Sequence, residues 1–488
     1  MVYDPLEQHK RLSHIVHEAL EVQDIRTYEE HAAHGEGLRN KVPFEEQGTW
    51  EAPKDRPDPL VLLAKQERTR VPSLVPLRHE RMALSPFAFF RGAALIMASD
   101  LARTPTTDIE VQICGDAHIA NFGLFKSPER RMIFDINDFD ETARGPWEWD
   151  LKRLVTSIEI CGRDREFSVE DREKAVLICS EAYRSSMADF AKSGHLEVWY
   201  DHVDIEELFD LVSDDLPKEE LESVRAAVKK MRRRDSTKAV AKLTEVIDGH
   251  QRFISNPPLI IPLRDAALKE SFAGIVGSIG MEKLIKLALS EYCRTLPPET
   301  RHLIKQYRGV DAAHKVVGVG SVGLRSLIVV LEGVDRSDSI VLQIKEAQES
   351  VIEQYYGKGG YSQHGQRVVR GQRALQSFSD ILLGWCRLPN EDGSSSDYYV
   401  RQLWNGKGSI DLTTISPEMF QFLCAVCGWT LAHGHARTGN RFHIAGYLGN
   451  TDDFDHHMVR FAKAYAEQNE ADYNRFKQAF PNSAPESD

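Results

Sequence analysis

The sequence predicts an α+β fold of two lobes, a large helical lobe and a smaller lobe built on an antiparallel sheet. Apolar residues recur at helical spacing through most of residues 150–300. Short β-branched segments, separated by glycine-rich or polar turns, follow between about 310 and 405. We therefore expect an N-terminal arm (1–75), a helical lobe (76–310), a sheet lobe (311–410) and C-terminal helices that complete the helical lobe (411–488).

Composition narrows the possible classes of function. The chain of 488 residues is long enough for roughly three structural units. Its net charge of −13 lacks the basic surplus of nucleic-acid-binding proteins, so no nucleic-acid partner is expected. No apolar run is long enough for a membrane span, and the first residues, MVYDPLEQHKRL, lack the layout of a signal peptide. With seven scattered cysteines, these features predict a cytoplasmic protein with reduced thiols and no membrane partner.

The first half of the chain mixes irregular, helical and extended segments. Residues 1–75 are rich in helix breakers and are expected to be irregular. PFAFFRGAALIMASDLA, from Pro86, predicts one buried helix that ends before Pro105. VQIC (111–114) and MIFDIN (132–137) predict strands, with SPERR as the hairpin turn between them. Helices are predicted for DLKRLVTSIEIC and DREKAVLICSEAYRSSMADFAK, and an extended segment for NPPLIIPL.

The second half begins with a strand meander. VVGVGSVG predicts a glycine-rich turn before the strands SLIVVL and SIVLQIK. DILLGWC (380–386) and YYVRQLW (398–404) are two further strand candidates. Ser416 followed by Pro417 is typical of a helix N-terminus and predicts the last long helix of the chain.

The segments GDAHIANFG and INDFDE carry the strongest chemical signal. Asp116 and Asn121 are five positions apart on a loop that leaves a strand, and Asp138 follows the next strand. Phosphoryl transfer needs a carboxylate that orients the attacking hydroxyl and oxygen ligands for Mg²⁺. Asp and Asn also favour ordinary turns, but the D-x-x-x-x-N spacing followed by DFD is a more specific combination.

GDAHIAN resembles the HGDxHxxN loop of aminoglycoside phosphotransferases and related small-molecule kinases, and INDFDE resembles their metal-binding segment. The resemblance implies that Asp116 orients the hydroxyl acceptor and that His118 matches the second histidine. It also implies Mg²⁺ ligands at Asn121 and Asp138, with Asp140 assisting. Cys114 stands where those proteins usually have histidine, and Asp150 in GPWEWDLKRL resembles the helix aspartate that braces their catalytic loop.

A kinase also needs a clamp for ATP, and the candidate lies downstream of the catalytic loop. VGVGSVG supplies glycines that let backbone N–H groups approach phosphates, and Lys345 ends the second strand that follows. An isolated GxGxxG is more often only a tight hairpin. The predicted phosphate-binding residues are Gly318, Gly320, Ser321, Gly323 and Lys345.

The catalytic loop precedes the glycine loop, so a kinase-like fold would have to be circularly permuted. YYVRQLW then leads into the hinge, where the backbone of Gln402 and Leu403 would meet adenine and Asp411 would reach the ribose. The helix that precedes the catalytic loop in ordinary kinases is matched either by LAHGHARTGN or by residues 86–103. Candidate partners for Lys345 are Glu349, Glu353 and Gln372.

Much of the chain also resembles a bacterial family, domain of unknown function 2252, that is placed with kinase-like proteins. The segments that carry the resemblance include VPLRHERMALSPFAFFRGAA, GDAHIANFG, LQIKEA, GQRVVRGQR and LAHGHAR. We expect an ATP- and Mg²⁺-dependent phosphotransferase that acts on an unidentified hydroxyl-bearing substrate. Arg81 and Arg91 are either ligands of a substrate phosphate or structural arginines that cap a helix or pair with a buried acid. The alternatives are a nucleotide-binding pseudokinase, AMP transfer and, as a minor reading, a two-metal phosphoesterase.

Overall fold

The computed structural model describes residues 27–211, 218–233, 235–265, 281–316, 320, 322–390 and 392–481, and within them the chain is a mixed α+β protein, as predicted. The helices are α1 (Tyr28–Gly37), α2 (Phe44–Gln47), α3 (Pro59–Glu67), α4 (Val75–Met82), α5 (Pro86–Gly92), α6 (Ala94–Leu101), α7 (Trp147–Asp164), α8 (Val169–Lys192), α9 (His195–Tyr200), α10 (Ile205–Leu211), α11 (Lys218–Arg232), α12 (Ser236–Leu243), α13 (Met281–Thr295), α14 (Pro298–Ile304), α15 (His364–Leu375), α16 (Pro417–Thr438), α17 (Arg441–Leu448) and α18 (Asp453–Ala479). The strands are β1 (Glu110–Ile113), β2 (Phe122–Lys126), β3 (Met132–Ile136), β4 (Ala143–Pro146), β5 (Val203–Asp204), β6 (Thr244–Ile247), β7 (His250–Phe253), β8 (Ile260–Pro262), β9 (Arg308–Lys315), β10 (Ser326–Glu332), β11 (Ser339–Ala347), β12 (Gly384–Pro389) and β13 (Ser395–Gln402).

The largest sheet is antiparallel and has six strands in the order β12-β13-β11-β10-β9-β8. The predicted meander is confirmed, and the extended NPPLIIPL segment supplies β8 at one edge. The strand predicted to start at Asp380 starts instead at Gly384. Asp380 accepts a backbone hydrogen bond from Leu383 at 3.0 Å, so the first residues of DILLGWC form a turn.

One apolar core lies on the six-stranded sheet, and a larger one lies between the long helices. α16 lies against α8, and α18 lies against α7. The predicted start of α16 is confirmed: the Ser416 hydroxyl accepts a hydrogen bond from the Met419 N–H at 3.2 Å, and Pro417 occupies the first turn. α16 is not the last long helix, because α18 follows it. All seven cysteines are free thiols. No helix in the described ranges combines the length and the apolar character that crossing a bilayer requires.

The segment predicted as one helix from Pro86 forms two, α5 and α6. Ala93 between them has φ −113° and ψ 29°, outside the helical range. The Gly92 carbonyl accepts a hydrogen bond from the buried Arg78 guanidinium at 2.8 Å. Arg78 thus stabilises the break, which periodicity alone did not reveal.

The two short strands predicted around the acidic loop do not pair with each other. β1 pairs with β4, whereas β2, which was not predicted, pairs with β3 across the SPERR turn. The loop between β1 and β2 therefore connects two separate small sheets. This arrangement places GDAHIAN and the residues after β3 side by side: the Asn137 N–H donates to the Asn121 carbonyl at 2.7 Å.

The described part of the N-terminal arm is not irregular, because it contains α1, α2 and α3. It packs on the C-terminal helices, with α1 against α17. Arg56 donates to Asp100 at 2.9 Å and to Asp472 at 2.8 Å, and this buried triad joins the arm to α6 and α18. The arm is held in place by this triad together with Trp50, Leu62 and Leu63, which are buried in the same apolar core as the C-terminal helices.

Candidate functional site

A cavity of about 510 Å³ lies where the β1–β2 loop, the segment after β3, the end of β11 and the glycine-rich segment meet. Its size falls in the usual range of ligand pockets, about 300–1,000 Å³. We call it the acidic cavity. Eight residues that the sequence singled out line it: Arg91, Asp116, Asn121, Asp138, Asp140, Gly320, Glu349 and Glu353.

The loop that carries Asp116 is held from behind by Asp150 on α7. The Asp150 carboxylate accepts hydrogen bonds from the Cys114 N–H at 2.7 Å and the Gly115 N–H at 2.9 Å. His435, on α16, lies 3.4 Å from the same carboxylate. The bracing role proposed for Asp150 thus has a geometric basis. Cys114 stands where the kinases that the loop resembles have a histidine, but His435 of α16 contacts the carboxylate that holds the loop.

Gly115 shows why the loop turns so sharply. Its φ is +77°, and a Cβ atom there would lie 2.2 Å from the Glu141 carbonyl oxygen. Only glycine fits this conformation and this close approach. The turn brings the backbone of the β1–β2 loop against the end of the INDFDE segment.

Asp116 is oriented by two contacts. One carboxylate oxygen accepts a hydrogen bond from Arg153 Nε at 2.6 Å, and the Asp116 carbonyl accepts one from Asn121 Nδ2 at 2.7 Å. Burial raises the pKa of Asp116, although Arg153 acts in the opposite direction.

His118 lies 3.8 Å from the other carboxylate oxygen of Asp116, outside hydrogen-bond range, and does not line the acidic cavity. Burial lowers the pKa of His118 well below its usual value, so this side chain is neutral.

Lys345 lies between the two acids of the DFD triplet. Its ammonium group donates to Asp140 and lies 4.0 Å from Asp138 Oδ1. Asp140 also accepts a hydrogen bond from the Tyr399 hydroxyl at 2.8 Å. Burial acts to lower the pKa of Lys345, but the two carboxylates outweigh it and raise the pKa above its ordinary value. Lys345 is therefore a cation with only 3 % of its surface exposed.

The acid that pairs with Lys345 is neither of the glutamates proposed from the sequence. Glu353 lies 3.4 Å from Arg367 Nε, and Glu349 lies 3.5 Å from Lys358. Gln372 donates to Gln376. α15 instead presents Arg367, which donates to the carbonyls of Asp140 and Gln348, each at 2.8 Å. Asp140 is thus engaged with protein groups rather than left open as a ligand.

The oxygen atoms suited to Mg²⁺ are those of Asp138 and Asn121. Asp138 Oδ1 is buried and has no hydrogen-bond partner among the described residues. The Asn121 side chain donates through its Nδ2 to the Asp116 carbonyl, so its Oδ1 is the atom suited to bind a cation. Within the described ranges, no three His, Cys, Asp or Glu side chains form a group able to hold a metal ion. One carboxylate and one amide fit a cation whose other ligands are phosphates and water.

Of the glycine-rich segment VVGVGSVG, the structure describes Val316, Gly320, Val322 and Gly323. Gly318 and Ser321 lie outside the described residues, whereas Gly320 lines the cavity. Gly323 has φ +90°, and a Cβ atom there would approach the Arg70 side chain to 2.9 Å. The Gly323 carbonyl accepts a hydrogen bond from the Val71 N–H at 2.8 Å, and Arg70 donates to the Val322 carbonyl.

Two arginines of the N-terminal half also line the cavity, Arg70 and Arg91. Each has a buried Nε that lacks a hydrogen-bond partner in the part of the chain that the structure describes. Burial lowers the pKa of Arg91, and the nearby Asp116 and Asp138 partly offset this effect. Burial likewise lowers the pKa of Arg70 to about 9, which is still above neutral pH. Arginine side chains keep their charge in proteins, so both residues are cations. Arg81, the other proposed phosphate ligand, does not line this cavity.

The residues proposed for adenine and ribose do not lie with the others. The Gln402 N–H donates to Asp380 at 2.6 Å, and the Leu403 N–H donates to the Val341 carbonyl at 2.9 Å, so both donors are already used. Gln402 lines a separate cavity of about 170 Å³. Asp411 is exposed and accepts hydrogen bonds from Thr413. The prediction placed these residues at a free hinge, whereas Leu403 continues the pairing of β13 with β11.

Three residues near the acidic cavity were not predicted from the sequence: Arg153, Tyr399 and Lys407. Arg153 is three positions after Asp150 on α7, and this helical spacing was the available signal. Tyr399 faces Lys345 across the β11–β13 pair, which no sequence pattern reveals. Lys407 donates to the Asn137 carbonyl, and burial lowers its pKa to about 7.

The fold and the site can now be compared with known proteins. A family model described as "Uncharacterized protein conserved in bacteria (DUF2252)" matches residues 70–479. The chain therefore belongs to the DUF2252 family. Searches of curated proteins and of solved structures gave no match.

Proposed function

We propose that this protein is an ATP- and Mg²⁺-dependent phosphotransferase that acts on a hydroxyl group of a small molecule. The observation that carries the proposal is the meeting of Lys345 and Asp138. These residues are more than 200 positions apart, yet Lys345 Nζ lies 4.0 Å from Asp138 Oδ1. Asp116, Asn121 and Gly320 line the same cavity. Arg91 lines this cavity too, and Lys345, which does not line it, contacts the lining residues Asp138 and Asp140. Cations that can hold phosphate, beside a carboxylate suited to Mg²⁺ and a carboxylate suited to orienting a hydroxyl, match the requirements of phosphoryl transfer.

Each side chain has a contact that supports a distinct role. Arg153 fixes the Asp116 carboxylate, which would accept a hydrogen bond from the acceptor hydroxyl and orient it. Lys345 and the cationic Arg91 would hold phosphate oxygens. Asp138 and Asn121 would hold Mg²⁺, which when bound offsets the charge of the triphosphate. Asp140 would position Lys345 in place of a helix glutamate.

We further propose that the fold is kinase-like, two-lobed and circularly permuted. The glycine segment, the lysine strand β11, helix α15 and strands β12 and β13 follow one another as the resemblance implies. The end of α16 then adjoins the strand that enters the catalytic loop, because the Thr438 hydroxyl accepts a hydrogen bond from the Gln112 N–H at 3.2 Å. This contact favours α16 over residues 86–103 as the helix that precedes the loop in ordinary kinases.

The first experiment is calorimetric titration of the full chain with ATP in the presence and absence of Mg²⁺. We expect binding that depends on Mg²⁺ and that is at least tenfold weaker in Lys345→Ala and Asp138→Asn. Lys229→Ala, which removes an exposed lysine of α11, is the matched control. Unchanged affinity in both site variants would refute the proposed cavity.

A second experiment distinguishes transfer from the alternatives. The protein is incubated with γ-labelled or α-labelled ATP and a metabolite extract, and the products are separated. Label moving from the γ position to a new compound supports the proposal, whereas label moving from the α position indicates AMP transfer. Release only as inorganic phosphate indicates hydrolysis, and binding without any turnover indicates a pseudokinase.

A further inference from the structure

A second cavity, of about 910 Å³, lies beside α13, α14 and the start of β9, and it shares no lining residue with the acidic cavity. We call it the basic cavity. Its lining includes six arginines and lysines, and none of the described residues that line it is Asp or Glu. The basic residues are Arg252, Lys286, Arg294, Arg301, Lys305 and Arg308. This concentration is unexpected in a chain whose net charge is −13.

The floor of the basic cavity is apolar. Ile285 and Leu289 on α13, Ile304 on α14 and Leu331 on β10 line it together with the cations. Gly309 on β9 permits this arrangement, since a Cβ atom there would lie 2.8 Å from the Ile285 side chain. Glu291 offsets the charge of Arg294 at 2.6 Å, and Glu332 offsets that of Arg308 at 3.8 Å, so the positive field comes mainly from the other cations of the lining. Low-dielectric walls strengthen that field, so the cavity attracts anions more strongly than the same charges on an open surface would.

Two of the arginines are oriented by backbone carbonyls rather than paired directly with carboxylates. Arg301 donates to the carbonyls of Arg294 at 3.1 Å and Leu296 at 3.0 Å. Its Nε is buried without a hydrogen-bond partner among the described residues. Arg252 donates to the Val310 carbonyl and also lies 4.0 Å from the buried Asp311, which partly offsets its charge. Carbonyl contacts fix a guanidinium without neutralising it, so Arg301 in particular remains able to bind an anion.

From these observations we propose that the basic cavity binds a small organic phosphate with an apolar body. The cations would hold the phosphate, and the apolar floor would cover the remainder of the molecule. This site is built from α13, α14, β7, β9 and β10, whereas Asp116 lies on the β1–β2 loop and Lys345 on β11. The proposal does not depend on the phosphotransferase activity proposed above.

The test is calorimetric titration of the full chain with 1-naphthyl phosphate, and separately with inorganic phosphate and with 1-naphthol. We expect one molecule of 1-naphthyl phosphate per chain, bound at least about tenfold more tightly than either fragment, because each fragment makes only part of the contacts. Equal binding of 1-naphthol would show a merely apolar site, and equal binding of phosphate a merely charged one. Either result overturns the proposal.

Variants locate the binding. Lys305→Glu reverses an exposed charge of the cavity, and Arg301→Gln removes the half-buried guanidinium; each is expected to weaken 1-naphthyl phosphate binding by about tenfold or more. Lys229→Glu makes the same reversal on α11, away from the cavity, and is expected to leave the affinity unchanged. Because Lys305 is exposed, its variant is expected to fold even if Arg301→Gln does not. Unchanged affinity in Lys305→Glu, or an equal loss in Lys229→Glu, would refute the site.

Discussion

Replacing Asp140 by asparagine tests which acid of the DFD triplet supports Lys345. The change is nearly isosteric, so it removes one negative charge and little volume. Breaking a buried ion pair by removing one partner typically costs about 3–5 kcal/mol. Lys345 keeps Asp138 at 4.0 Å. That attraction is worth at most roughly 4 kcal/mol at an effective dielectric constant of 20, and less here because the Asp138 side chain is 38 % exposed. We therefore expect Asp140→Asn to lower the free energy of unfolding by about 2–3 kcal/mol.

The matched variant is Asp138→Asn, which removes the same charge two residues earlier in the chain but breaks no hydrogen bond of the described structure. We expect it to change the free energy of unfolding by about 1 kcal/mol or less. Both are measured by urea denaturation at pH 7 without nucleotide, followed by tryptophan fluorescence. Lys345→Met combined with Asp140→Asn should cost clearly less than the sum of the single changes, since the pair is lost only once. Equal losses in Asp138→Asn and Asp140→Asn, or strict additivity, would refute the assignment of Asp140 as the partner of Lys345.

Three further predictions concern stability. Burial raises the pKa of Asp135 to about 7. An unfolded aspartate ionises near pH 4, so the native state holds one more proton between about pH 4 and 7 and loses stability as the pH rises through that window. In Asp135→Asn the fall in unfolding free energy between pH 5 and pH 8 should be smaller by roughly 2 kcal/mol, and an unchanged fall would contradict the shift. Arg56→Met leaves two buried carboxylates without their cation and should cost about 3–5 kcal/mol in urea unfolding at pH 7, whereas a loss below about 1 kcal/mol would show that the triad contributes little. Gly323→Ala places a side chain at positive φ against Arg70 and should cost about 1–3 kcal/mol by the same measurement; no loss would mean that the turn adopts another conformation.

The sequence predicted the elements whose signals are local. The Ser416-Pro417 start of α16, the strand meander after residue 310 and the helices α7 and α8 all follow from caps and periodicity, which depend on neighbouring residues only. The break at Ala93 was missed because its cause, the Arg78 hydrogen bond to Gly92, joins residues on different helices. β2 was missed because its five residues, FGLFK, lack a clear alternation.

In the candidate site, too, the residues with local signals were predicted, whereas the contacts between distant residues were not. Asp116, Asn121 and Asp138 were found from spacing within two short segments, and the structure brings them to one cavity. The partner of Lys345 was not found, because it depends on which of several acids a long-range strand pairing presents to the ammonium group. The hinge assignment failed to foresee that Gln402 and Leu403 use their N–H groups within the protein. Residue types and their spacing therefore located residues of the acidic cavity, whereas tertiary hydrogen bonds decided which of their groups remain available.

The packing of α16 against α8 has a consequence during synthesis. Roughly 220 residues separate the end of α8 from the start of α16. At a ribosomal rate of about 5–20 residues per second, roughly 10–45 s pass between the synthesis of α8 and that of α16. Nascent chains of this protein therefore expose the apolar face of α8 to solvent until translation has nearly finished. A chaperone that binds emerging polypeptides has its longest opportunity here, and chains truncated before residue 417 are expected to aggregate.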